Sequence, residues 1–204
     1  MLDSYDISTI EGVRVGDSKT ALDLLSKHNP NDVTKFGVEW SLGLEGVERR
    51  FMPYNGMVSE DQLAWLEERL TKSAEEQETV IVLCHVPLHP QAANNLCLLW
   101  NYQVDLTHLR HYSHTVLQSV LEVLTRSGCV VAVLAGHDHD GGYHHEDGLH
   151  HFTLSSPLLC SEGELAFGTI SATEDALIWK WFGEHDTIPS SLKINLCHKN
   201  KNIL

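Results

Sequence analysis

Apolar residues along the chain fall into two kinds of run. Short stretches that are apolar almost without a break stand at 79–84 (TVIVLC) and 129–135 (CVVAVLA). Continuous apolarity over so few residues predicts strands buried on both faces, the habit of parallel pairs. Leu63, Leu66 and Leu70 recur instead at helical spacing behind Ser59 and Gln62, which predicts a helix over about 60–74 opened by a capping box. A helix near 19–28 is expected between a cap at Asp17 or Ser18 and a stop at Asn29-Pro30. Another is expected over about 105–126, with Leu109, Tyr112, Val116, Val120 and Val123 or Leu124 facing inward and Gly128 ending it. Residues 2–8, 150–156, 167–173 and 176–182 read as strands, the last two as a hairpin. Residues 30–57 and 86–104 read as loops, and from Gly183 onward the chain is polar and unpatterned.

Strand, helix, strand with fully apolar strands implies a parallel pair covered on both sides, and the later closely spaced strands imply an antiparallel portion. The fold class expected is mixed α/β, with one domain over 1–183 and a polar tail over 184–204. A length of 204 residues suits a single core. No run of apolar residues is long enough for a membrane-spanning helix, and MLDSYDISTI lacks the features of a signal peptide. Five irregularly spaced cysteines read as reduced thiols, so a cytoplasmic setting is expected. A formal charge of −14 argues against nucleic acid as a partner. It also repels anionic small molecules unless a bound cation inverts the local field.

That condition directs attention to histidine. TVIVLC runs into His85, and VVAVLA runs through Gly136 into His137 and His139. The carboxyl ends of parallel strands form the ligand crevice of α/β sheets, so three imidazoles are expected at one margin. Along an extended segment residues i and i+2 point the same way, which lets His137 and His139 share a site and address adjacent ions. Neutral imidazole suits Mn, Fe or Zn better than Ca or Mg. Gly136 permits close backbone approach there, and Gly141 and Gly142 permit the chain to turn away. His89 is a weak further candidate. His108, His111 and His114, at i, i+3, i+6, read as a solvated helix face, and His144, His145, His150 and His151 as exposed loop and strand positions.

GHDHDGG after VVAVLA, with CHVPLHP upstream, resembles the last two motifs of the calcineurin-like metallophosphoesterases. HNPND, FMPYNGMVSEDQLAWLEERL, CHVPLHPQAANNLCLLWNY and AGHDHDGGY resemble, within that superfamily, the manganese-dependent diphosphatases of ADP-ribose and CDP-alcohols. The likeness covers about residues 2–173. It implies a metallophosphoesterase-type β-sandwich flanked by helices and a dinuclear site holding Mn²⁺, with Mg²⁺, Fe or Zn as substitutes. His85 and His137 match ligands to one ion and His139 a ligand to the other. The substrates implied are small nucleoside diphosphate derivatives such as ADP-ribose and CDP-choline, split to a nucleoside monophosphate and a phosphorylated sugar or alcohol. The loop after His85 offers Asn95, Cys97, Trp100 and Asn101 as substrate contacts. Asp138 and Asp140 are placed to hydrogen-bond the imidazoles from behind.

The family's earlier motifs, D-x-[HQ], G-D-x-x-D and G-N-H, are absent. Gly16-Asp17 is followed by Thr20 where a second Asp is required, and KHNPND has the wrong order. The expectation is therefore a C-terminal portion lacking its leading strands, monomeric, poorly stable and nearly inactive. Two other readings stay open: a non-catalytic binding chain, and a mononuclear His₃ zinc hydrolase.

Overall fold

In a computed structural model, residues 1–10, 18–102 and 119–197 are described. They run β1 (Ile7–Ser8), α1 (Ser18–His28), β2 (Gly56–Met57), α2 (Glu60–Glu75), β3 (Val80–Leu83), α3 (Val120–Ser127), β4 (Val130–Ala135), β5 (Gly142–Glu146), β6 (Leu149–Thr153), β7 (Phe167–Ala172), β8 (Ala176–Phe182) and β9 (Ser191–Asn195). No helix among these residues is long and apolar enough to cross a membrane.

One sheet has the order β3-β4-β6-β5, with β4 parallel to both β3 and β6 and β5 antiparallel to β6. A second, antiparallel sheet has the order β7-β8-β9. The unbroken apolarity of β4 now has its reason, since the strand serves two cores. Val130 and Val133 pack with Val82 and with Leu66, Leu70, Val123 and Leu124 of α2 and α3. Val131 and Ala132 pack with Phe152 against Leu177, Trp179, Trp181 and Ile194 of the second sheet. Phe152 and Trp179 stack at 4.2 Å between ring centroids; burying a side chain of that kind contributes roughly 1.5–3 kcal/mol. The mixed α/β sandwich with helices on its outer face is the expected architecture.

Several expectations change. Residues 2–8 do not form one strand. Leu2 alone bridges Cys84 in parallel, and β1 pairs with β2. The cause is local, because the Asp3 carboxylate accepts from the Tyr5 amide at 3.0 Å and folds the chain back. The box at α2 is half formed. Ser59 accepts from the Gln62 amide at 3.2 Å, but the Gln62 side chain instead clamps the Asp3 backbone, at 2.7 and 3.1 Å, and the Asp6 carboxylate. Of the helix expected over 105–126, the described part is α3, which begins at Val120 behind an extended Ser119 that makes a full capping box with Glu122. Leu109, Tyr112, Val116, His108, His111, His114 and the Asp17 cap lie outside the described residues. Gly128 ends α3 at φ 64°.

Besides the two-residue β2 inside the expected loop 30–57, two strands stand where none is expected. The segment read as an unpatterned tail supplies β9, which pairs with β8 and buries Ile194. GYHHE forms β5 because Asp147 and Gly148, at φ 51° and 80°, make a two-residue hairpin turn to β6.

Candidate metal centre

The pairing of β3 and β4 continues past their ends. Cys84 N–H donates to Leu134 O at 3.0 Å and Gly136 N–H to His85 O at 3.0 Å. This zipper sets His85 beside His137, with ring centroids 5.2 Å apart and planes at 70°. An added Cβ at Gly136 would sit 3.6 Å from His85 Nδ1, so glycine leaves that imidazole an open flank.

His137 then turns the chain. Its φ is 66°, left-handed for a side chain bearing a Cβ, a conformation that costs on the order of 1–3 kcal/mol. Asp138 N–H donating to Gly136 O at 2.7 Å and Gly141 N–H to Asp138 O at 3.2 Å hold the reversal. His137 and His139 thus approach through a tight turn, not through the extended i, i+2 geometry expected. Gly141 and Gly142 complete the exit. A Cβ on Gly141 would lie 2.7 Å from the Ser155 amide nitrogen, and one on Gly142 would lie 2.5 Å from the Ala92 carbonyl oxygen.

Side chains missing from the sequence reading orient His137. Asn55 is fully buried and spends its amide N–H groups on Arg50 O and Leu96 O, each at 2.8 Å. Its Oδ1 is thereby left as an acceptor, 2.7 Å from His137 Nε2. That contact places the ring proton on Nε2 and the lone pair on Nδ1, where the Tyr5 hydroxyl lies at 3.3 Å. Tyr5 also lies 5.7 Å from the His85 ring and Tyr54 5.9 Å from the His137 ring. The available signal was the Tyr54-Asn55-Gly56 run, a loop text with an amide before a glycine.

Burial, then the neighbouring His85 and His139, push the His137 pKa down to about 4. Burial and then His139 lower that of His85. Both rings are neutral at pH 7 and keep the lone pairs that a cation needs. Burial pushes the Tyr5 and Tyr54 phenols up to about 12, so they remain protonated donors.

The loop candidates separate. Cys97 lies at the site, where burial and then Asp138 and Asp140 push its thiol up to about 11. Asn95 is half-buried, with Oδ1 lacking a hydrogen-bond partner. Trp100 is core: it is buried with Ala21, Leu25 and Phe51, and its indole N–H donates to Met52 O at 3.2 Å. Asn101 is a splice between segments, accepting from Val58 N–H at 3.1 Å and donating to Val58 O at 2.8 Å. Asp138 does not back an imidazole; its carboxylate accepts from the Asn94 amide at 2.6 Å and the Asp140 amide at 3.3 Å. Asp140 is exposed, and its backbone oxygen bonds His185 Nε2 at 2.8 Å.

The donor set, neutral imidazoles with one lone pair fixed by Asn55, fits transition ions. It does not fit one ion. Among the described residues, the group that brings three possible ligand atoms within 4.8 Å of one another is His89, His144 and Glu146, elsewhere on the sheet. His85, His137 and His139 do not form such a group, which speaks against the mononuclear His₃ reading.

No family model matches the chain. A manganese-dependent ADP-ribose/CDP-alcohol diphosphatase of Xenopus tropicalis is 38% identical over 190 residues, covering 90% of this chain and 48% of that protein. The Homo sapiens protein of the same description is 34% identical over 186 residues, again 90% of this chain and 48% of its own length. The crystal structure of a dimetal phosphatase from Danio rerio superposes with a TM-score of 0.77 at 32% identity, covering 95% of this chain and 55% of that one. The chain spans about half the length of the curated relatives it matches. Over that span it has the fold of a dimetal phosphatase and is a homologue of the manganese-dependent ADP-ribose/CDP-alcohol diphosphatases.

Proposed function

We propose that this chain carries the histidine side of a manganese-dependent phosphoric anhydride hydrolase acting on ADP-ribose and CDP-alcohols such as CDP-choline. The observation that carries the reading is the meeting of His85 and His137 at 5.2 Å where two adjacent parallel strands end. His85 and His137 would hold one ion and His139 the other. When bound, the ions supply positive charge that orients a diphosphate and neutralises charge building on phosphorus. The chain's own residues do the rest. Asn55 fixes the tautomer of His137 and Tyr5 faces its Nδ1. Asn95 and Cys97 line the adjoining loop, with Cys97 a neutral thiol that contacts substrate without attacking it.

The cytoplasm is the proposed setting, supported by five free cysteine thiols, and the proposed working form is a monomer. The 204 residues hold none of D-x-[HQ], G-D-x-x-D or G-N-H, so the carboxylate and Asn ligands of the superfamily are lacking here. Turnover by the chain as given is accordingly proposed to be weak. The test is AMP release from ADP-ribose with and without Mn²⁺, beside Mn²⁺-dependent ADP-ribose binding. Metal-dependent binding with turnover far below the ordinary enzyme range of about 1–10³ s⁻¹ is expected. ADP-ribose binding indifferent to Mn²⁺ contradicts the function, and ordinary turnover contradicts the incompleteness.

A further inference from the structure

A second histidine group lies on the β5–β6 hairpin, away from His85, His137 and His139. His144 and Glu146 share a face of β5 at i, i+2. His151 stands opposite His144 in the ladder, and His89 reaches over both from the loop after β3. The His89 ring stacks on His144 at 4.4 Å and tilts against His151 at 4.8 Å. His89 Nε2 meets Glu146 Oε2 at 3.2 Å.

Two atoms here lack what burial ordinarily demands. His144 Nε2 and His151 Nδ1 are buried with no hydrogen-bond partner, and His151 as a whole is 5% exposed. Unsatisfied buried polar atoms are uncommon and destabilising, and an unfilled ion position is one recognised cause. A cavity of about 450 Å³ opens onto His89, Glu146 and His151, so the group is reachable from solvent.

We propose that His89, His144 and Glu146 bind a divalent ion of the zinc class, with His151 alongside, as a site separate from the one at the ends of β3 and β4. The chemistry matches: nitrogen donors with one carboxylate are a zinc set, while magnesium and calcium prefer oxygen. The ligand atoms already lie within 4.8 Å of one another, against about 3.3 Å between donors in a tetrahedral zinc site. His89 Nε2 and Glu146 Oε2 already stand at 3.2 Å, so what remains is a turn of the His144 ring, stacked on His89 at 4.4 Å, toward that pair. Binding at His89 Nε2 moves that ring's proton to Nδ1 and releases the 3.2 Å bond from the Gln91 amide, which belongs to an exposed residue free to rehydrate.

Three of these side chains project from one hairpin and the fourth from the loop that also carries Cys97. An ion here would therefore tie the loop beside the first site to β5. Burial depresses the pKa of His89 and His151, the latter to about 3, so both keep their lone pairs at neutral pH.

The test is a Co²⁺ titration followed by visible absorption, run on a His85→Ala/His137→Ala double variant so that the first site does not contribute. One equivalent bound with a tetrahedral spectrum is expected. Glu146→Gln should weaken it about tenfold or more, and His144→Ala should abolish it. Glu146 is exposed, so its variant tests the site even if His144→Ala fails to fold. The exposed His145, stacked on His150 at 4.1 Å across the ladder, is the control. No stoichiometric uptake, uptake unaffected by either substitution, or uptake lost on His145→Ala instead would each overturn the proposal.

Discussion

The two histidine groups of this chain differ in what holds their imidazoles. At the ends of β3 and β4, His137 is fixed on both ring nitrogens, by Asn55 at 2.7 Å and Tyr5 at 3.3 Å. On the β5–β6 hairpin, imidazole lies against imidazole, and His144 Nε2 and His151 Nδ1 face no partner. The first group is positioned by its surroundings, and an ion at His137 Nδ1 would displace the Tyr5 hydroxyl while leaving the Asn55 contact in place. The second carries the cost of desolvation with fewer compensating contacts, so a ligand would change its energetics more. Preorganisation and unmet demand are different routes to a binding site, and one sheet displays both.

That contrast assigns Trp100 to neither group, and removing it should give the largest effect on stability. Trp100→Ala is expected to cost about 3–5 kcal/mol, as other large-to-small core changes do, read as a fall in urea midpoint. Mn²⁺ affinity of the folded protein should be unchanged; a weakened affinity would return Trp100 to the site. Gly142 joins the two groups, since it ends the turn after His139 and begins β5. Gly142→Ala drives a methyl into the Ala92 carbonyl at 2.5 Å and is expected to cost about 1–3 kcal/mol, again by urea unfolding. Because the strain reaches both groups, Mn²⁺ and Co²⁺ affinities should fall together, and a loss confined to one would show them uncoupled.

Asn55→Ala should separate them. Removing a partner that orients a metal-binding histidine typically costs 10–100-fold in affinity. Calorimetry should show that loss for Mn²⁺ and none for Co²⁺ at the hairpin.

A further expected effect is on pH dependence without metal. His137 and His151 have folded pKa values of about 4 and about 3, below the ordinary 6.5. Between those values the unfolded chain binds more protons than the folded one, so stability rises with pH. The contribution is complete above about pH 6.5 and is lost progressively as pH falls toward 4 and then 3. Urea midpoints in EDTA should decline monotonically from pH 7.5 to 4, with a shallower decline in His151→Leu. A flat profile would contradict the burial of these rings.

How far the sequence revealed all this depends on which interactions write themselves into a pattern. β4 is legible because a strand buried on both faces has to be apolar throughout; β3 is equally apolar but forms the sheet edge with Leu83 exposed, so its double burial is not found. His85, His137 and His139 follow as the residues at the ends of the two strands. The hairpin is not legible. GYHHE has no apolar alternation, and its strand state comes from pairing with β6 through Asp147-Gly148, a cue present in the sequence but outweighed by polar neighbours. Residues 191–195 were missed for a similar reason, being short and anchored by Ile194 against a sheet distant in sequence. Asn55 is 82 positions from its partner His137, a separation at which no local periodicity can report. Position after a ligand says nothing about which way a side chain turns: Trp100 turns into the core and Asn101 to the Val58 backbone.

The most direct test follows Mn²⁺ into the protein by paramagnetic broadening of histidine ring resonances, assigned with single histidine variants. The account predicts that His85, His137 and His139 broaden first, at the lowest Mn²⁺ additions, while His89, His144 and His151 keep their lines. Broadening that begins on the hairpin, or that spreads evenly over exposed histidines, would contradict it.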